Sequence, residues 1–309
     1  MRIRTLSAVL AATALVSVAT ATSGTATAAA GAAVAAQDGD CPERMIFEAG
    51  GHLDPGARVY DASNATLPEG VEFTQIHYSA SIWPYPGDPE PMDRSVAEGT
   101  ATLLDAVREH HAACPATRLT ISGYSQGAIV AGDALEALSR DEAIPHRQIN
   151  GVLYGDPRRV GVNGGPGGIQ GNLPGIIPGL TMQGERGFGD LRVRQYCNTN
   201  DGICHSENLL TNLVCFANGV VGYFEGDHDY VIDPYRHGGT GDVLIEQPPR
   251  IAACGPPLPI QLPTLWELFN GNARAAGRAL DELREVLWPL LPEEIRAALH
   301  RLLPPEAAP

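Results

Sequence analysis

"LTISGYSQGAIVAGDALEAL", Leu119 to Leu138, places a serine between two glycines at the seam between a β-like run and a helix-periodic one. "RLTIS" reads as a strand. Past it, Ala128, Ala131, Leu135 and Leu138 recur at three- to four-residue spacing, so a helix is predicted to begin just beyond Ser125. A strand entering a sharp turn and then a helix is the setting in which Gly-x-Ser-x-Gly exposes a nucleophile. Gly123 and Gly127 would let strand and helix approach without Cβ collisions, and the turn would hold Ser125 in a strained conformation. The helix N-terminus beyond it offers free N–H groups and a positive dipole end to a developing oxyanion. Ser125 is therefore expected to be attacked through, not to be a plain turn residue.

Outward from this seam, short β-like runs alternate with helical periods. "RMIFEAGG" reads as a strand and glycine turn, and "FTQIHY" (Phe73 to Tyr78) as a second strand. "DRSVAEGTATLLDAVREHHAAC" carries Val96, Leu103, Leu104 and Val107 at helical spacing, and "INGVLYGDP" and "LRVRQYC" are two more strands. This alternation predicts an α/β architecture, a mostly parallel sheet with helices on both faces. Residues 157–190 hold too much Gly and Pro for regular structure and are read either as a rim of the site or as a passive surface loop.

A serine hydroxyl needs a base, and the base needs an acid to orient it. Where the nucleophile sits on such an elbow, the acid and then the histidine follow it in the chain. Asp201, just past "LRVRQYC" and bracketed by Cys197 and Cys204, is the candidate acid, with Asp156 in "LYGDPRR" as its rival. His228 in "GDHDY" is the candidate base, with His237 in "YRHGG" as competitor; His205 reads as structural or surface. The oxyanion donors are expected to be the N–H of Gln126 and that of Gly51 or His52, in the turn after the first strand.

The ends of the chain read differently. Arg2 and Arg4 precede an apolar stretch and an Ala/Thr/Ser run, so residues 1–30 are expected to be a cleaved secretion signal and 31–40 a low-complexity linker. The hydrolytic domain is expected over 41–260. In the tail, 261–309, Leu265, Leu268, Phe269, Ala276, Leu280, Leu283 and Leu287 share a helical face. That face is read as packing on the body, the alternative being a surface toward cell wall, lipid or a partner. The 309 residues carry a formal charge of −15, and loss of the signal removes two further positive charges. Such acidity argues against nucleic acid as a partner and against electrostatic docking on anionic lipid. All 21 basic residues are Arg, which excludes a Walker-type phosphate loop and Schiff-base chemistry; no cofactor or metal is expected. Cys41, Cys114, Cys197, Cys204, Cys215 and Cys254 form an even set in a chain read as exported, so three disulfides are expected.

"CPATRLTISGYSQGA", "LYGDPRR", "CNTNDGIC" and "HDY" together resemble the cutinase-like serine esterases of the α/β-hydrolase class, and the related hydrolase domain of actinobacterial PE-PPE proteins. Phage lysins that cut mycolyl esters share GYSQG. The resemblance covers roughly Cys41 to Tyr235. It implies an α/β-hydrolase fold, disulfides Cys41–Cys114 and Cys197–Cys204, with Cys215–Cys254 remaining, and a secreted enzyme acting on fatty-acyl or other lipid esters. Two departures stand out. "EAGGHLD" replaces the family's Arg-Gly-Ser/Thr turn, so no side-chain hydroxyl is expected at the oxyanion. No PE or PPE module is read ahead of Cys41, so nothing of such a module's role is expected to carry over. The same acyl-enzyme would also serve an envelope acyltransferase, and a lipid- or wall-binding protein without catalysis is the third reading.

Overall fold

The computed structural model describes residues 41–250, apart from 84, 210, 211 and 249. The expected signal, linker and tail, and with Cys254 the third disulfide, lie outside the described residues.

Six strands form one sheet: β1 (Arg44–Ala49), β2 (Val71–Ile76), β3 (Arg118–Tyr124), β4 (Ile149–Tyr154), β5 (Arg192–Asn198) and β6 (Gly241–Ile245). They are ordered β2-β1-β3-β4-β5-β6 and every neighbouring pair is parallel. The helices are α1 (Asp61–Asn64), α2 (Met92–Ala113), α3 (Gln126–Leu138), α4 (Ile169–Asn172) and α5 (Leu213–Gly222). This is the α/β-hydrolase arrangement expected. From β1 the chain steps to one side, to β2, and then returns to β3 on the other side, from which β4, β5 and β6 follow outward. The loops leaving the C-terminal ends of β1 and β3 therefore diverge, and the crevice between them is where such sheets place a site.

Side chains alternate across the sheet. Met45, Phe47 and Ala49 of β1, Leu119 and Ile121 of β3 and Leu153 of β4 face one way, against Val96, Leu103 and Val107 of α2 and Val130, Leu135 and Leu138 of α3. The opposite face is more polar. Tyr60, just ahead of α1, bonds Ser122 at 3.1 Å, and Tyr154 stacks on Tyr196. Two expectations shift. β2 begins and ends two residues earlier than its sequence run, because its register with β1 stops at Ala49↔Ile76. β6 was not anticipated; "GDVLI" is short, half-exposed and follows a glycine run, so only pairing with β5 defines it.

Residues 157–190 contain one four-residue helix, as their composition suggested, yet they are fastened to the body. Arg186 bonds Asp156 at 2.9 Å and Asp133 at 3.0 Å, and Arg158 reaches Asp133 at 2.7 Å. Arg159, fully buried, pairs with Asp242 at 2.7 Å. A buried guanidinium needs such partners, since each charge left alone would be costly.

Glu48 lies on the polar face, fully buried, with one carboxylate oxygen held by Asn64 at 2.8 Å and the other without a partner. Burial, opposed by the Asn64 bond and reinforced by Asp61, pushes its carboxyl up to about 8 from 4.5. A carboxyl that holds its proton more tightly when folded adds stability below the unfolded value and loses it as pH rises through the folded one. Glu48→Gln is therefore expected to match the parent's melting temperature near pH 4 and to exceed it at pH 8. Equal melting temperatures at both pH values would refute this account of Glu48.

Candidate active site

Ser125 sits between β3 and α3 with φ 57° and ψ −121°, and its N–H donates to Tyr154 O at 2.9 Å. A positive φ is unfavourable for any residue with a Cβ, so the turn is held by what surrounds it. A Cβ on Gly123 would lie 2.1 Å from Gly127 O, and one on Gly127 would lie 2.1 Å from Ala49 O. Both glycines thus permit the α3 N-terminus to press onto β3 and β1. Gly127→Ala is expected to cost roughly 1–3 kcal/mol or more of stability and most of the activity. Urea denaturation beside an ester assay checks this, and an unaltered midpoint would count against it.

Gly51 follows β1 at the crevice. A Cβ there would come within 3.1 Å of Ser125 Cβ and of the Tyr124 ring. Its neighbour His52 turns away, with Nε2 on Asp88 at 2.7 Å and its ring edge-on to Tyr85. The Gln126 side chain donates to Ser81 O at 2.8 Å, which ties the turn to the segment ahead of α2. As the first residue of α3, Gln126 has a backbone N–H with no acceptor inside the helix.

Asp201 and His228 are brought together. Asp201 is fully buried just beyond β5 and accepts from His228 Nδ1 at 2.7 Å. Its other oxygen accepts the Ile203 N–H at 2.9 Å. The Cys197–Cys204 disulfide closes the loop carrying it, and Cys41–Cys114 joins the approaches to β1 and β3. Closing so short a loop contributes roughly 2–3 kcal/mol. The His228 ring stacks on Tyr124 at 5.1 Å and leans against Tyr223 at 4.9 Å. Its Nε2 is buried without a hydrogen-bond partner. Ser125 and His228 are thus neighbours through Tyr124, but the serine hydroxyl and Nε2 are not bonded in this structure.

The rivals are committed elsewhere. Asp156 is engaged by Arg186, and His237 Nδ1 meets the Tyr154 hydroxyl at 2.9 Å. Burial lowers the pKa of His237, and burial followed by Arg159 lowers that of His205.

Three residues escaped the sequence reading of the site. The Tyr230 hydroxyl donates to Asp201 Oδ2 at 2.5 Å; burial and then the Asp201 charge push its pKa far up, so it remains a donor. Asn198 Nδ2 donates to Asp227 O at 2.7 Å and to Asp229 O at 3.3 Å, fixing the backbone on either side of His228. Gly155 has φ 59°, and a Cβ there would lie 2.7 Å from His228 Cε1. All three stand in stretches that carry the resemblance, "HDY", "CNTNDGIC" and "LYGDPRR", but nothing local gives them a part in holding the histidine. Exposed apolar side chains lie in contact with, or next in the chain to, these residues: Tyr85 against His52, Phe224 against Tyr223, Val231 after Tyr230 and Leu53 after His52.

A family model described as "Cutinase" matches residues 41–221, more than half of the chain. The "Carboxylesterase Culp6 homolog" of Corynebacterium glutamicum is 38% identical over 181 residues, covering 50% of this chain and 56% of that protein. The chain thus spans little more than half the length of that relative. "Phospholipase Culp4" of Mycobacterium tuberculosis is 28% identical over 174 residues, covering 54% of this chain and 69% of its own. Among solved structures, a cutinase-like protein from Cryptococcus sp. aligns over 65% of this chain and 98% of its own, with TM-score 0.39 and 19% identity. The acetyl xylan esterase catalytic core from Trichoderma reesei aligns over 60% and 96%, with TM-score 0.38 and 22% identity.

Proposed function

The chain belongs to the cutinase family, and from that premise we propose that it is a secreted serine hydrolase of carboxylic esters, acting on fatty-acyl or lipid substrates. Ser125 Oγ attacks the acyl carbonyl while His228 Nε2 takes its proton. Asp201 holds Nδ1–H, so that the free nitrogen of the neutral ring faces the hydroxyl, and it stabilises the imidazolium that forms. The N–H groups of Gln126 and Gly51 receive the oxyanion. His228 then returns the proton to the leaving alcohol, and water resolves the acyl-enzyme with the same ring as base. Nucleophile and base close to bonding distance with substrate present, since such contacts are commonly long in the free enzyme.

The observation that carries this reading is the buried 2.7 Å Asp201–His228 pair beside a serine at φ 57°, with Nε2 unpartnered. The apolar side chains around the crevice suit an acyl chain. Secretion is supported by the two disulfides, which belong to oxidising compartments. Among the described residues no helix is long and apolar enough to cross a membrane.

The test is a chain-length series of p-nitrophenyl esters, run with a fluorophosphonate probe and with an added alcohol as acceptor. Turnover that scales with Ser125 labelling and releases free acid supports hydrolysis. Transfer of the acyl group mainly to the alcohol would make the protein a transferase. Failure of both labelling and turnover would remove the catalytic reading.

A further inference from the structure

The opposite end of the sheet carries a second feature, independent of ester chemistry. Arg44 opens β1, Arg118 opens β3 and Arg192 opens β5. With Arg147 and Arg236 they line one cavity of about 290 Å³, whose wall also includes Thr120, Gln148 and Asn150. Arg118 lies seven residues before Ser125 along β3, about 23 Å from the elbow at the strand rise of roughly 3.3 Å.

The charge balance here is unusual for so acidic a chain. Among the described residues, only Arg44, Arg118, Arg147, Arg192 and Arg194 lack a carboxylate within ion-pairing distance. Four of these five line the same cavity. Arg44 and Arg118 are also direct register partners on adjacent strands, where like charges repel. Two carboxylates nearby are already engaged: Asp233 holds Arg236 at 3.1 Å, and Asp190 holds His146 Nδ1 at 2.6 Å. Arg44 is positioned by its bond to Tyr235 O at 3.2 Å and by the Tyr235 ring beneath it. Four guanidinium forks without an ion-pair partner, gathered around a polar cavity beside a fifth held by Asp233, match a multiply charged oxyanion better than a single carboxylate.

We propose that this arginine-lined cavity is a binding site for a phosphate-bearing ligand. It would hold the protein by one end of the sheet while the crevice at the other end stays open. The phosphate could belong to a soluble polyphosphate-like chain or to a lipid headgroup, and the two sources are separable.

Arg147→Ala/Arg192→Ala is made in the full chain, with Arg58→Ala/Arg94→Ala as a control that removes equal charge from surface ion pairs outside the cavity. Titration calorimetry with tripolyphosphate at about 50 mM salt, where screening is modest, tests the soluble source. Co-sedimentation with phosphatidylglycerol/phosphatidylcholine vesicles, against phosphatidylcholine alone, tests the headgroup. The expected result is saturable binding in at least one arm, weakened at least tenfold by the cavity pair and less than twofold by the control. Hydrolysis of a soluble short-chain ester by the cavity pair is expected to equal the parent's, which also reports that the fold is intact. Binding in neither arm, or equal weakening by the control, would overturn the site. Because ester turnover is read separately, its absence would leave this result standing.

Discussion

Ser125→Ala is expected to lower kcat for a soluble p-nitrophenyl ester by about 10⁴- to 10⁶-fold and to abolish fluorophosphonate labelling. In the proposed mechanism the Ser125 hydroxyl forms the acyl bond, and alanine offers no atom to replace it. The same position separates catalysis from stability. Ser125 holds φ 57°, a region that costs a residue with a Cβ roughly 1–3 kcal/mol. Alanine retains that strain and glycine relieves it. Ser125→Gly should thus be as inactive as the alanine variant yet unfold at higher urea concentration. A strained residue at a proposed catalytic position is where activity and stability oppose one another. Retention of even a hundredth of the parent's turnover by the alanine variant would show that another group carries the acyl transfer.

Asp201→Asn is expected to reduce kcat by about 10⁴-fold with little change in KM. The carboxylate accepts the Nδ1 proton at 2.7 Å, which leaves Nε2 as the ring's acceptor for the proposed proton transfer from the serine. An amide can present its own N–H to Nδ1, which favours the opposite tautomer and places the ring proton where the base should be. Asparagine nearly matches the volume of aspartate, so the buried site need not collapse. Tyr230→Phe removes one donor to the same oxygen and is expected to lower kcat roughly tenfold, in line with one hydrogen bond to a charged group. His237→Ala should leave turnover near the parent's, because that ring pairs with Tyr154 and not with Asp201. Loss of turnover in His237→Ala with retention in Asp201→Asn would reverse the assignment of acid and base.

These two experiments weigh differently against the sequence. The elbow at Ser125 was legible because it is local: a strand, two glycines and a helix within twenty residues impose the geometry through backbone sterics alone. Asp201 was legible by its place after a strand and between two cysteines, although Asp156 met the first of those conditions equally well. The choice between them is tertiary, since only folding delivers Arg186 to Asp156 and leaves Asp201 free to meet His228. Tyr230, Asn198 and Gly155 act on the histidine from three separate segments, and no periodicity encodes such a convergence. β6 was missed for a related reason: a five-residue edge strand is specified by its neighbour and not by its own pattern.

By itself, then, the amino-acid order determined what depends on near neighbours: the strand–turn–helix around Ser125, the parallel architecture implied by alternating periods, and the glycines the turn requires. Only the tertiary structure decided which carboxylate and which imidazole share the crevice, what holds residues 157–190 in place, and that four unpaired arginines meet at the far edge. Those outcomes join residues tens of positions apart. Their partners are selected by where strands of a parallel sheet begin and end, a property of the whole packing that no single stretch of chain contains.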